Sequence, residues 1–186
     1  MSKNHPSDLH RNILRCFDGH HIRIVTTNFD EKFESAAGEL GLALEEDHSI
    51  YYSPAQPDGD QFAGLVHLHG AICRPHEMIL TESDFGKAYV TKARAARFLV
   101  DLFSAYTVLF VGYSLNDILV RYLARSIPPT SKNHLFVLAK DNEGTEEIES
   151  LGMTPIPFHE FDELPEIFSC LSRRISYRFY DKMNIV

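Results

Sequence analysis

Short β-branched apolar runs alternate with helical patterns along this chain, and that alternation most constrains the fold. The runs are HIRIVTT, GLVHLHG, YTVLFVGYS and NHLFVLAK, with MTPIPFHEF as a fifth. The third is the most apolar and reads as a strand buried on both faces. The two prolines of the fifth place it at a sheet edge. Between the runs, Asn28 or Asp30 caps a helix through EKFESAAGELG, which Gly41 closes. Ser83 or Asp84 opens a longer helix through FGKAYVTKARAARFLVDLFSAY, and Asn116 or Asp117 opens ILVRYLARS, ended by Pro128 and Pro129. EGTEEIESLG and FDELPEIFSCLSRRISYRF follow the last two strands. Strand and helix in turn predict a three-layer α/β domain with a mostly parallel sheet.

A length of 186 residues suits a single domain over 1–186, and 44% hydrophobic with 24% charged residues is ordinary for a globular chain. The net charge of −8 argues against nucleic acid as a partner, since phosphate binding needs clustered Lys and Arg. Cys16, Cys73 and Cys170 lie far apart, with no Cys-x-x-Cys pair, which points to a reduced cytoplasmic protein and to neither a zinc ribbon nor a disulfide framework. The polar start MSKNHPSDLHRN lacks a signal peptide's apolar stretch, and no apolar run approaches the roughly 20 residues that cross a bilayer. YYSPAQPDGDQFAG reads as a loop-like insert, an inert surface loop rather than a lid.

Ligands of parallel α/β sheets gather at the carboxyl ends of the strands. Three such ends carry suitable polar groups: Thr27-Asn28-Phe29-Asp30, His69-Gly70, and the segment from Gly112 through Ser114 to Asp117. Asn28 and Asp30 either cap the next helix or hold an amide or a ribose hydroxyl. His67 and His69 share a face if their strand is regular. His67, earlier in the strand, reads as a buried hydrogen-bonded residue; His69, before Gly70, is the better general base. The spacing of HLHGAICRPH matches no usual zinc site, so no metal ligands are assigned. Gly112 lets a ligand approach the backbone or serves close packing, Ser114 can contact a sugar or phosphate oxygen, and Asp117 caps the next helix or bonds a ribose.

Taken in order, TTNFD, HLHG, LTESDF and VGYSLND resemble the sirtuin-like domain, in particular its bacterial antiphage-defence, NAD-hydrolysing branch. The resemblance covers about residues 10–126. It implies a Rossmann-like domain that takes NAD as substrate and cleaves its nicotinamide–ribose bond. Asn28 would then orient the ribose and the attacking group, and His69 would be the catalytic base. Asp30 would line the nicotinamide pocket, with Thr27 and Gly70 beside it. Gly112, Ser114 and Asp117 would lie in the segment facing the adenosine ribose or phosphates.

Two departures qualify these expectations. The four-cysteine zinc module of deacetylase sirtuins has no counterpart in HGAICRPHEMILTESDF, which fits a hydrolase rather than a deacetylase. The family's first strand and glycine-rich loop have no match before TTNFD, where MSKNHPSDLHRNILRCFDGHH reads as a helix and a turn. The chain is therefore read as a partial domain, weak in NAD binding by itself and working as a homo-oligomer or with a partner protein. The alternative function is a non-catalytic, truncated scaffold or interaction module.

Overall fold

The structure is a computed structural model and describes residues 5–17, 21–42, 44, 49–112, 134–141 and 143–183. Among the described residues the strands form two three-stranded, all-parallel sheets, so the chain is α/β as expected. It divides into two compact units. The first comprises Met1–Ser53, Ala63–Met78 and Asp162–Val186, and the second Pro54–Phe62 and Ile79–Phe161.

In the first unit, helix α1 (Asp8–Arg15) precedes strand β1 (Arg23–Thr26) and helix α2 (Lys32–Glu39). Strands β2 (Ser49–Tyr52) and β3 (Gly64–His67) follow, and the order in the sheet is β1-β3-β2. Central β3 is buried at all four positions, as a strand flanked on both sides and covered on both faces must be. Ile22, Ile24, Leu65, Ala36, Ala37 and Leu14 form the core, each large apolar side chain contributing roughly 1.5–3 kcal/mol by leaving water. Gly41, at φ 69°, ends α2 in the left-handed conformation, as its place in the sequence suggested. The final helix α6 (Leu164–Met183) docks on α1: the Asn12 side-chain amide donates to the Pro165 carbonyl at 2.8 Å.

The second unit carries strands β4 (Val108–Phe110), β5 (Leu135–Lys140) and β6 (Thr154–Phe158), paired in that order, with α5 (Thr145–Ser150) between β5 and β6. Proline-bearing β6 is at the sheet edge, where its missing amide protons cost little. Strand β4 departs from expectation. It has three residues, and Leu109 is 36% exposed, so it is not buried on both faces.

The single long helix expected from Ser83 is also broken. Thr81, not Ser83 or Asp84, is the N-cap: its hydroxyl accepts from the Asp84 amide at 3.2 Å while Asp84 accepts from the Thr81 amide at 3.1 Å. One turn, α3 (Glu82–Phe85), passes into a π-helical segment, Gly86–Thr91. Ala93 then takes left-handed φ 53° and restarts the chain as α4 (Arg94–Ala105). The apolar pattern runs through this break because Tyr89, Ala95, Phe98, Leu99 and Leu102 still turn inward.

The insert beginning YYS is not all loop. Its first two residues complete β2, and the part from Pro54 to Phe62 is pinned to α4. The Tyr106 hydroxyl donates to the Asp60 carbonyl at 2.6 Å, Phe62 packs edge-on against Phe98, and the Gly59 backbone lies directly on the Phe98 carbonyl. The predicted helix after Asn116 lies outside the described residues.

Candidate functional site

The parallel register of the first unit builds the site. Thr26 on β1 is the ladder partner of His67 on β3. Two residues beyond each lie Asn28 and His69, so these two come to neighbouring strand ends at the carboxyl edge of one sheet. Two main-chain bonds tie the ends together, and a third closes the turn after β3. Leu68 donates to the Thr26 carbonyl at 2.9 Å, Ile72 donates to the Phe29 carbonyl at 2.9 Å, and Gly70 closes a turn on the His67 carbonyl at 3.2 Å.

Thr27 and Asn28 are exposed at the strand end. The Asn28 amide donates to the Thr26 hydroxyl at 3.1 Å, which leaves the Asn28 side chain out of that turn bond. Asp30 does serve the helix: its Oδ1 accepts from the Lys32 amide at 3.2 Å, and its Oδ2 sits 3.6 Å from the Lys32 ammonium. The N-cap position itself falls on Glu31, whose side chain makes no cap bond, so Asp30 supports the helix start from one residue before the expected place, and any ligand role is additional to that.

His67 and His69 do not alternate on a regular strand, contrary to the conditional expectation. Strand β3 ends at His67, and Leu68 and His69 lie in the turn that Gly70 closes. Gly70 has φ 88°, and a Cβ there would meet the Glu77 carbonyl oxygen and the Met78 Cα at 3.0 Å, so the turn needs glycine. His69 is buried, at 7% exposure, and His67 is wholly buried.

The surroundings of His67 were not foreseen. Its Nε2 lies 2.6 Å from Glu34 Oε1 on α2, and its ring stacks on Tyr52 of β2 at 5.1 Å between centroids. Tyr52 in turn carries the Arg74 guanidinium 4.5 Å above its ring. The Cys73 thiol lies near the Tyr52 hydroxyl and the Glu31 carboxylate, close enough for each to act on the other's ionisation. Burial, and then the Cys73 thiol, hold Tyr52 well above the usual phenol range; burial and the Glu31 carboxylate push the Cys73 thiol up. The signal that could have found this cluster is acidic Glu31 and Glu34, at the start of the helix just after the Asn28 turn, beside a strand rich in histidine. Their partner Tyr52 stood in a stretch read as loop.

Of the remaining predicted residues, Gly112 belongs to the second unit, where it follows β4 at φ 65°. Ser114 and Asp117 lie outside the described residues. Among the described residues no group of three or more His, Cys, Asp or Glu side chains is arranged to hold a metal ion.

With this geometry in view, the family follows. The SIR2-like domain matches residues 22–156, which span β1 through most of β6, so the chain belongs to the SIR2-like domain family. The chain is also 38% identical, over 109 residues, to the uncharacterised protein y4cA of Sinorhizobium fredii. That match covers 54% of this chain and 9% of the relative, so the chain corresponds to a small part of that protein's length. No helix among the described residues is long and apolar enough to cross a membrane.

Proposed function

We propose that this chain binds NAD as substrate and cleaves the bond between nicotinamide and ribose, as the catalytic part of a bacterial antiviral defence protein. The observation that carries the reading is the β1–β3 register, which sets Asn28 and His69 at adjacent strand ends. Membership of the SIR2-like family supports NAD as the ligand. The similarity to part of a much longer bacterial protein agrees with a module working inside a larger assembly. Whether through further copies of this chain or a partner protein, assembly is part of the proposal, and light scattering at increasing concentration tests it.

The chemistry matches the residues. The C1′–N bond breaks with its electron pair passing to the pyridinium nitrogen, which leaves neutral nicotinamide and an oxocarbenium-like ribose. The Asn28 side-chain carbonyl and the Asp30 carboxylate are acceptors that favour positive charge growing on that ring. A water oxygen adds to C1′, and His69 takes its proton. Thr27 and Gly70 flank these groups on the same two strand ends. The sequence resemblance assigns Gly112, Ser114 and Asp117 to the adenosine side of the substrate.

Nicotinamide release from NAD by the purified chain, beside His69→Ala and Asn28→Ala, tests the reading. Release that both variants abolish is expected. No release at high protein concentration would overturn the enzymatic reading and leave the chain as a non-catalytic scaffold of the family.

A further inference from the structure

The buried His67 lies outside the chemistry above, yet its surroundings are unusually determined. One ring edge meets Glu34 Oε1 at 2.6 Å, and the other ring nitrogen, Nδ1, points at the Asn28 carbonyl oxygen over 3.4 Å. Tyr52 stacks on the ring with only 8° between planes. Three elements therefore converge on one imidazole: α2 through Glu34, β2 through Tyr52, and the turn after β1 through Asn28.

We propose that His67 is a positioning residue for Asn28, holding the Asn28 peptide through an Nδ1–H directed at its carbonyl, with Glu34 as the anchor that sets the ring. An unprotonated Nδ1 would place a lone pair against the carbonyl oxygen, which is repulsive. The proton must therefore sit on Nδ1, whichever of Glu34 and Nε2 holds the one between them. A buried polar pair of this kind adds little net stability compared with apolar residues of the same volume. What it adds is direction, because a hydrogen bond fixes an angle and apolar packing does not. The Asn28 side chain leaves the same residue whose carbonyl is held. A turn of that peptide would carry the amide away from where the ribose is expected, and small misplacements of this kind cost catalysis heavily. The contact also links α2 to the site, since Glu34 follows Asn28 by six residues and returns to the strand beneath it.

The inference that Asn28 placement matters for turnover rests on the proposed NAD cleavage; the placement itself does not. Two substitutions separate the ring's two edges. In His67→Asn the amide nitrogen takes the position of Nδ1 and can still donate to the Asn28 carbonyl, but it cannot reach Glu34. In His67→Gln the amide nitrogen takes the position of Nε2, keeping Glu34 and losing Asn28. Ring nitrogen NMR of the wild-type chain is expected to show Nδ1 protonated. The Asn28 carbonyl-carbon shift is expected to move in His67→Gln and to stay near wild type in His67→Asn. Nicotinamide release should fall about tenfold or more in kcat for His67→Gln, with KM within about twofold, and stay within about threefold of wild type for His67→Asn.

An unprotonated Nδ1 in the wild-type spectrum would overturn the proposal without reference to activity or to any variant that fails to fold. Equal losses in the two variants, following only their thermal stability, would overturn it as well. If the wild-type chain releases no nicotinamide, the proposed function fails by itself, and the ring and Asn28 spectra still decide whether His67 positions that peptide.

Discussion

The main-chain amide of Ile72 donates to the carbonyl of Phe29 across 2.9 Å. This bond ties the loop after β3 to the turn after β1, one residue past Asn28 on one side and two past Gly70 on the other. Parallel strands hold their ends side by side only as far as the ladder runs, and here the ladder stops at Thr26 and His67. The Phe29–Ile72 bond extends the pairing past it, into the segment where Asn28 and His69 stand.

Gly70 is the tightest point of that segment. Its positive φ and the 3.0 Å approach of a Cβ to the Glu77 oxygen and the Met78 Cα predict that Gly70→Ala costs about 1–3 kcal/mol. Urea unfolding measures this as a lower midpoint. An unchanged midpoint would mean the turn relaxes freely and does not hold His69 in place.

Asp30 has one role in the fold and a second in the proposed reaction, and substitution separates them. Asp30→Ala removes the acceptor for the Lys32 amide and should cost about 1 kcal/mol. Asp30→Asn keeps an acceptor oxygen and should cost less than half of that. Nicotinamide release is nevertheless expected to drop about tenfold or more in Asp30→Asn, through loss of the carboxylate charge. Full activity in that variant would confine Asp30 to the turn.

The docked segment from Pro54 to Phe62 depends on Gly59. A Cβ at this position would sit 2.1 Å from the Phe98 carbonyl oxygen and 2.8 Å from the Leu102 nitrogen, both main-chain atoms that cannot step aside. Gly59→Ala should therefore cost about 2 kcal/mol or more and open this segment to limited proteolysis. Protease resistance equal to wild type would show that the segment is held by Phe62 and Tyr106 alone.

Ala93 carries backbone strain that glycine would relieve. At φ 53° its Cβ crowds the following carbonyl, which costs about 1 kcal/mol or somewhat more. Ala93→Gly is expected to raise the unfolding midpoint, against the usual penalty for glycine beside a helix. A lowered midpoint would mean that the entropy of the unfolded chain outweighs the relieved strain.

Cys16 makes stability depend on alkaline pH. Burial pushes its thiol up to about 11 from an ordinary 9.0, so the folded protein keeps the proton that the unfolded chain gives up. Stability from this group is complete below pH 9 and falls as pH rises from about 9 towards 11. The difference in stability between wild type and Cys16→Ala should shrink over that window. A difference that stays constant from pH 8 to 11 would show the thiol to be as solvated as in the unfolded chain.

Local chemistry in the sequence determined much of this protein. β-branched runs between helical stretches are enough to specify parallel α/β units, because strand and helix periodicities are written residue by residue. Asp30 as a helix-start acceptor, Gly41 as a helix stop and the edge position of the Pro155–Pro157 strand were legible for the same reason. So was His67 as a buried, hydrogen-bonded residue. Tertiary structure decided what depends on residues far apart in the chain. Tyr52 reads as loop until β3 pairs with it and makes it a strand, and nothing local marks Glu34 until the fold brings His67 to 2.6 Å. The break at Ala93 was hidden because the apolar spacing continues across it. Short strands such as β4 are set by their neighbours, since a strand's pairing and burial belong to the ladder and not to its own sequence.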